Sequence, residues 1–194
     1  MKRFPQATAL FITIGFLACN LANKPSQNLA TDKFIRLPEY FNQEDQQLRT
    51  GDFILHKSVT LNGKTDTISI PGSDSATVHD LLKPFMDADL NKPSLRDDYD
   101  TSSLYDPFSG RKSVIYKSKG KQTSPSEVTL ELDKQGNIQQ VNIHSYTSNM
   151  VYEFRQDLHY QQNRQVRMTT YQKIAFLSPK ELEVNVTIAP KTGM

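Results

Sequence analysis

The sequence predicts an α+β domain: two short N-terminal helices and a hairpin packed with an antiparallel meander of about six strands. Three observations carry that prediction. Apolar residues first recur at helical spacing, an Asn-Gly pair then divides two β-rich runs, and from Lys112 onward the apolar period becomes two. The 194 residues suit one domain with a tail, and 37% hydrophobic content is low for a globular chain but too high for wholesale disorder.

The first helix is expected from Pro38 to Leu48. Glu39, Glu44 and Asp45 precede Arg49, so acids lie early and a base lies late, as the helix dipole favours. Gly51 is the stop, and Tyr40, Phe41 and Leu48 form the buried side. Asp52 to Leu61 and Lys64 to Ile70 flank Asn62-Gly63, the pair that best fits a type I′ turn, where both central residues need positive φ. Pro71 and Gly72 close the second strand. Asp74 or Ser75 caps a second helix from Ala76 to about Met86, with Val78, Leu81, Leu82 and Phe85 at helical spacing. Pro84 implies a frayed or bent last turn.

The stretch Asp87 to Gly110 reads as an acidic loop region containing Pro93 and Pro107. Beyond it Val128, Leu130 and Leu132 alternate with Thr129 and Glu131. Met150, Tyr152 and Phe154 alternate with Val151, Glu153 and Arg155, and Leu182, Val184, Val186 and Ile188 with Glu183, Asn185 and Thr187. These are half-buried strands with one wet face. Asp133 to Asn137, Thr147 to Asn149 and Gln161 to Arg164 supply turns short enough to make neighbours antiparallel. The meander thus runs from Lys112 to Ala189. Ser178-Pro179-Lys180-Glu181 also fits a capping box, but the β-branched alternation after it favours a turn leading into a strand. Such a sheet must cover its apolar face, with the two helices or by curling into a half-barrel. Lipocalin-like and lipoprotein-carrier-like shapes share this outline, and an outline does not define a function.

The front end reads as an address. Lys2 and Arg3 form a basic n-region, and Ala7 to Leu17 is an apolar run of 11 residues. That is shorter than the roughly 20 residues a membrane-spanning helix needs, and it has the size of a signal h-region. The run ends in Phe16-Leu17-Ala18-Cys19, which resembles the lipobox of bacterial lipoproteins. Ala18 and Cys19 match that motif; Phe16 replaces the usual Leu and Leu17 the usual small residue. The resemblance implies cleavage before Cys19, a diacylglyceryl group on its thiol and a third acyl chain on the new amino terminus. Asn20, where an Asp is absent, implies sorting to the outer membrane, with the domain periplasmic or surface-exposed. The plainer reading is a secreted protein with a free thiol, but no A-x-A type cleavage site surrounds Ala18 or Ala22. The organisation expected is a signal peptide over 1–18, a flexible tether over 19–33 and a single α+β domain over 34–194. Asp89-Leu90-Asn91-Lys92-Pro93 resembles small uncharacterised bacterial lipoproteins, a likeness that implies no activity.

Charge and composition exclude several classes. The chain has 23 basic and 21 acidic side chains, and loss of Lys2 and Arg3 leaves 21 of each. A neutral chain has no field to steer it to nucleic acid. One Cys excludes disulfide frameworks and multi-cysteine zinc sites. Lack of Trp weighs against a sugar-stacking platform.

Candidate chemistry is sparse. No two of His56, His79, His144 and His159 are three or four residues apart. His144 and His159, on neighbouring strands, are able to face each other, but are better explained as solvated or hydrogen-bonded strand residues. His79-Asp80 near Ser73 and Ser75 has the residue types of a triad without a nucleophile elbow, and turn and cap chemistry explains the serines better. Eight scattered glycines form no phosphate loop. Asp87-Asp89-Asn91, with Asp98 in the twelfth place, has the opening spacing of a calcium loop. Lys92 stands where Gly is required, however, and helix-end capping is the simpler reading. Tyr116, Tyr146, Tyr152, Tyr160 and Tyr171 are either cleft-lining groups or, more commonly, core-edge fillers.

The function expected is therefore a membrane-anchored, non-enzymatic binding or accessory lipoprotein for a lipid or other apolar ligand. It is attached to the lipid bilayer through acylated Cys19 and needs no cofactor, metal or nucleic acid. An interaction protein docking an envelope complex is the alternative, and an envelope hydrolase a third reading.

Overall fold

A computed structural model describes residues 33–120 and 123–191; the signal segment, Cys19 and most of the tether lie outside these. The chain order is α1 (Leu37–Thr50), β1 (Phe53–Leu61), β2 (Lys64–Pro71), α2 (Ser75–Asp87), then β3 (Tyr99–Asp106), β4 (Arg111–Ser118), β5 (Glu127–Leu132), β6 (Ile138–Ser148), β7 (Tyr152–Gln161), β8 (Gln165–Ile174) and β9 (Lys180–Pro190). All nine strands form one antiparallel sheet in the order β2-β1-β9-β8-β7-β6-β5-β4-β3. The fold is therefore α+β, with two helices and more strands than the hairpin and six-stranded meander foreseen.

The added strand is β3, which replaces part of the acidic loop expected over Asp87 to Gly110. Apart from Tyr99 it is exposed along its length, so it carries no apolar alternation. Backbone pairing with β4, from Tyr99–Ser118 to Asp106–Arg111, is what makes it a strand. The six strands from β4 to β9 match the expected meander, with one adjustment. β7 begins at Tyr152, and Met150 belongs to the turn before it rather than to a buried strand face.

Local chemistry explains the other elements. Asn62 and Gly63 both take positive φ, 48° and 81°, which closes β1 on β2. Asp74 caps α2, accepting from Thr77 N at 3.2 Å. Gly51 N donates to Gln47 O at 2.8 Å where α1 ends. Pro179 precedes β9 in a turn, as the alternation indicated.

The register puts one apolar row across the sheet: Val59, Val184, Met168, Leu158, Ile143 and Val128 are successive cross-strand partners. The helices lie on this inner face. Phe41 of α1 and Phe85 of α2 have ring centroids 4.9 Å apart, and Tyr160 of β7 meets them at 5.1 and 6.1 Å. The two contacts of Tyr160 are edge-on, a geometry that favours aromatic clusters beyond their area alone. Tyr116 and Tyr99 close the core beside Phe34, at 5.2 and 6.0 Å.

Candidate functional site

Two ends of the sheet differ in what they expose. At the basal end β7 turns into β8 and β9 finishes, and there Gln162 Nε2 donates to Glu44 Oε1 of α1 at 2.9 Å. At the distal end β1 turns into β2, β6 into β7 and β8 into β9. The described chain enters at this distal end: Lys33 pairs with Asp97 at 3.1 Å, and Ile35 N donates to Tyr116 Oη at 3.3 Å near the end of β4. α1 then descends to the basal end, where Phe53 pairs with Pro190. α2 starts from that end, and the chain returns until Asn91 Nδ2 donates to Phe34 O at 3.3 Å.

Among the described residues, this path leaves one quadrant of the inner face without helical cover: the distal parts of β7, β8, β9 and β1. Its first row is Leu61, Leu182, Thr170, Gln156 and Ser145, apolar on one side and polar on the other. Leu61 and Leu182 are exposed, while Thr170 and Gln156 are half-buried. Gln156 Nε2 donates to Thr170 Oγ1 at 3.3 Å. Beyond them Tyr152 and Phe154 stack with centroids 6.4 Å apart and planes 7° from parallel. Apolar walls with a few fixed polar groups are what a small amphiphile requires. On the opposite, outer face of the same end an open depression of about 620 Å³ is lined by Thr60, Glu153, Arg155, Asp157, Thr169 and Tyr171, and of its lining only Thr170 and Leu182 belong to the inner row.

The outer face is polar. His144 and His159 do lie on adjacent strands and the same face, but each has another partner. His144 Nδ1 is hydrogen-bonded to its cross-strand partner Asp157 at 2.5 Å, and His159 Nδ1 to Asn142 Oδ1 at 2.7 Å. Burial, helped by the nearby Arg167 charge, lowers the pKa of His159. The His144–Asp157 pair lines a shallow depression, the arrangement that a hydrolase reading asks for. Among the described residues no hydroxyl is hydrogen-bonded to the other ring nitrogen of His144.

The remaining candidates resolve into structural roles. His79 and Asp80 sit on the exposed side of α2, and Ser73 and Ser75 flank the Asp74 cap. Asp87 is paired with Lys83 at 2.6 Å, and Asp89 Oδ1 accepts from Asn91 N at 2.9 Å in a local turn. Among the described residues no group of three His, Cys, Asp or Glu side chains is arranged to hold a metal ion. Tyr116 and Tyr160 are core residues. Tyr146 and Tyr171 flank Arg155 on the outer face, at 6.0 and 5.8 Å from its guanidinium.

Sequence reasoning missed Glu44. Expected only as an acid that suits the helix dipole, and not among the residues of the buried side, it is 1% exposed and accepts hydrogen bonds from Tyr160 Oη and Gln162. Burial raises its pKa despite these donors, and raises those of Tyr40 and Tyr160 with help from its charge. The signal was present in the spacing, since Glu44 and Asp45 fall three and four residues after Phe41, on the apolar stripe.

These features define a class, an open antiparallel sheet lined by two helices and partly bare on its inner face. No family model, curated protein or solved structure matches the chain.

Proposed function

We propose that the chain is an envelope lipoprotein, anchored in a bilayer through acylated Cys19, whose domain is a non-enzymatic carrier or accessory module for an amphiphilic, largely apolar ligand. One observation carries this reading: the inner face continues past the helices with Leu61 and Leu182 exposed on β1 and β9 and with Phe154 and Tyr152 half-buried on β7 of the same face. In this reading the sheet acts as an open half-barrel, the helices filling one part and a ligand the other. Thr170 and Gln156 would orient the polar end of that ligand, and Leu61, Leu182 and Phe154 would take its acyl part. The lipobox-like Phe16-Leu17-Ala18-Cys19 supports the anchor, and multiple acyl chains give stable attachment where one does not.

Native mass spectrometry of the full chain recovered from a bacterial envelope tests this. A retained lipid adduct that is lost in Leu182→Lys supports it. A clean, unliganded chain in both forms sinks it and favours the partner-docking alternative.

A further inference from the structure

We infer that the paired tips of the β6–β7 and β8–β9 hairpins form a docking surface for a phospholipid bilayer, so that the bare quadrant of the inner face opens toward the membrane. The inference rests on the anchored-lipoprotein reading for which membrane is met, and adds which part of the domain meets it. The two tips are one surface, because Ala175 N donates to Val151 O at 2.8 Å. They carry Met150 at 100% and Phe176 at 105% relative exposure, with Val151, Leu177 and Ile174 also exposed. Large apolar groups clustered in this way on a charged chain mark an interaction site.

Phe176 adds a second observation. It holds φ at 65°, a conformation uncommon for a bulky residue, and its ring touches solvent rather than the core. A turn that accepts this conformation to project a phenyl ring outward is shaped for something beyond the domain. Behind the tips, Tyr146 and Tyr171 flank Arg155, which pairs with Glu153 at 3.2 Å, and Lys173 and Lys180 are exposed near the two acids Glu153 and Glu181. Aliphatic and phenyl groups foremost, with tyrosines and basic groups behind, match the depth profile of a membrane interface.

Position selects the bilayer over a protein partner. The tips lie at the distal end, where Lys33 and Phe34 enter beside Tyr116. Cys19 is 14 residues before Lys33, and such a stretch spans at most about 50 Å. An acyl anchor on that short a leash keeps the distal end within reach of the lipid surface. The other apolar turn, with Phe108 at 97% exposure, follows β3 at the basal end.

The chain has no Trp, so one introduced residue reports alone. Phe176→Trp and Phe108→Trp are each made in the full chain, and emission is read with vesicles of phosphatidylethanolamine and phosphatidylglycerol, with and without brominated acyl chains. The expected result is a blue shift and a loss of intensity to brominated lipid at position 176, and neither at 108. Solvent-like emission at both positions overturns the inference. So does a blue shift at 176 without vesicles that grows with protein concentration, since a second copy would then cover the tips. Repeating the measurement with Cys19→Ser separates the readings. Failure of the unaltered chain to float with vesicles sinks the anchor, whereas the quenching pattern of the unanchored chain judges the tips alone.

Discussion

Glu44 concentrates the residue-scale energetics of this protein. A carboxylate 1% exposed loses its hydration, and two donors offset only part of that cost. Its raised pKa means that the folded chain takes up a proton more readily than the unfolded chain does. Its contribution to stability is therefore greatest at low pH, and declines as pH climbs from the ordinary 4.5 through the raised folded value. His159 acts with the opposite sign: its lowered folded pKa makes the native state resist protonation, so stability declines as pH falls below the ordinary 6.5. Denaturant titrations across this range are expected to show a slope with pH that Glu44→Gln flattens above 4.5 while leaving the His159 limb unchanged. An unaltered slope in Glu44→Gln would show that the carboxyl is not the group responsible. The exposed pair His144–Asp157 is expected to matter little, as exposed ion pairs generally contribute about 0–1 kcal/mol.

Elements differ in how far their residues announce them. Both helices and the first hairpin were legible, because Tyr40, Phe41 and Leu48, Val78, Leu81, Leu82 and Phe85, and Asn62-Gly63 each follow a local rule. β3 was not, because Thr101, Ser103, Ser102 and Asp100 are polar on both faces and its strand state comes from β4. The tip at Met150 was misjudged for the converse reason, since apolar alternation ran on past the last paired residue. Of the candidate site, the apolar faces of β7 and β9 were visible in the sequence. Which quadrant stays bare depends on where the helices cross the sheet, and no local pattern encodes that crossing. The joint between β2 and α1 depends on Gly72, where an added Cβ would lie 2.7 Å from Leu48 O. Gly72→Ala must therefore push α1 from the sheet, and a loss of about 1–3 kcal/mol in chemical unfolding is expected from the overpacking. No measurable loss would mean that the hairpin shifts freely against the helix.

At the scale of the whole molecule, the sheet order matters more than any single contact. β1 and β2 do not neighbour β3; they add to β9, with Phe53 opposite Pro190 and Leu61 opposite Leu182. Among the described residues the sheet thus ends in two edges, β2 and β3, each carrying charged residues such as Lys64 and Asp66 or Asp100 and Asp106, which discourage pairing with other chains. It also places the first and last strands of the domain side by side. A chain ending before Lys180 is expected to lose cooperative thermal unfolding altogether, because β1 and β8 both lose a partner. A sharp transition in that truncated chain would show that the rest of the sheet is self-sufficient.

The pairing of β1 with β9 also has a consequence in time. A ribosome delivers β1 before most of the sheet and β9 after all the other strands. Until β9 emerges, the first hairpin has only itself, and an isolated two-stranded hairpin is marginal in water. Closure of the sheet must wait for contacts made across nearly the whole length of the domain, which slows folding. During that delay Leu55 and the apolar sides of α1 and α2 are uncovered, so the newly made chain, rather than the folded one, has the greater need of a holding chaperone.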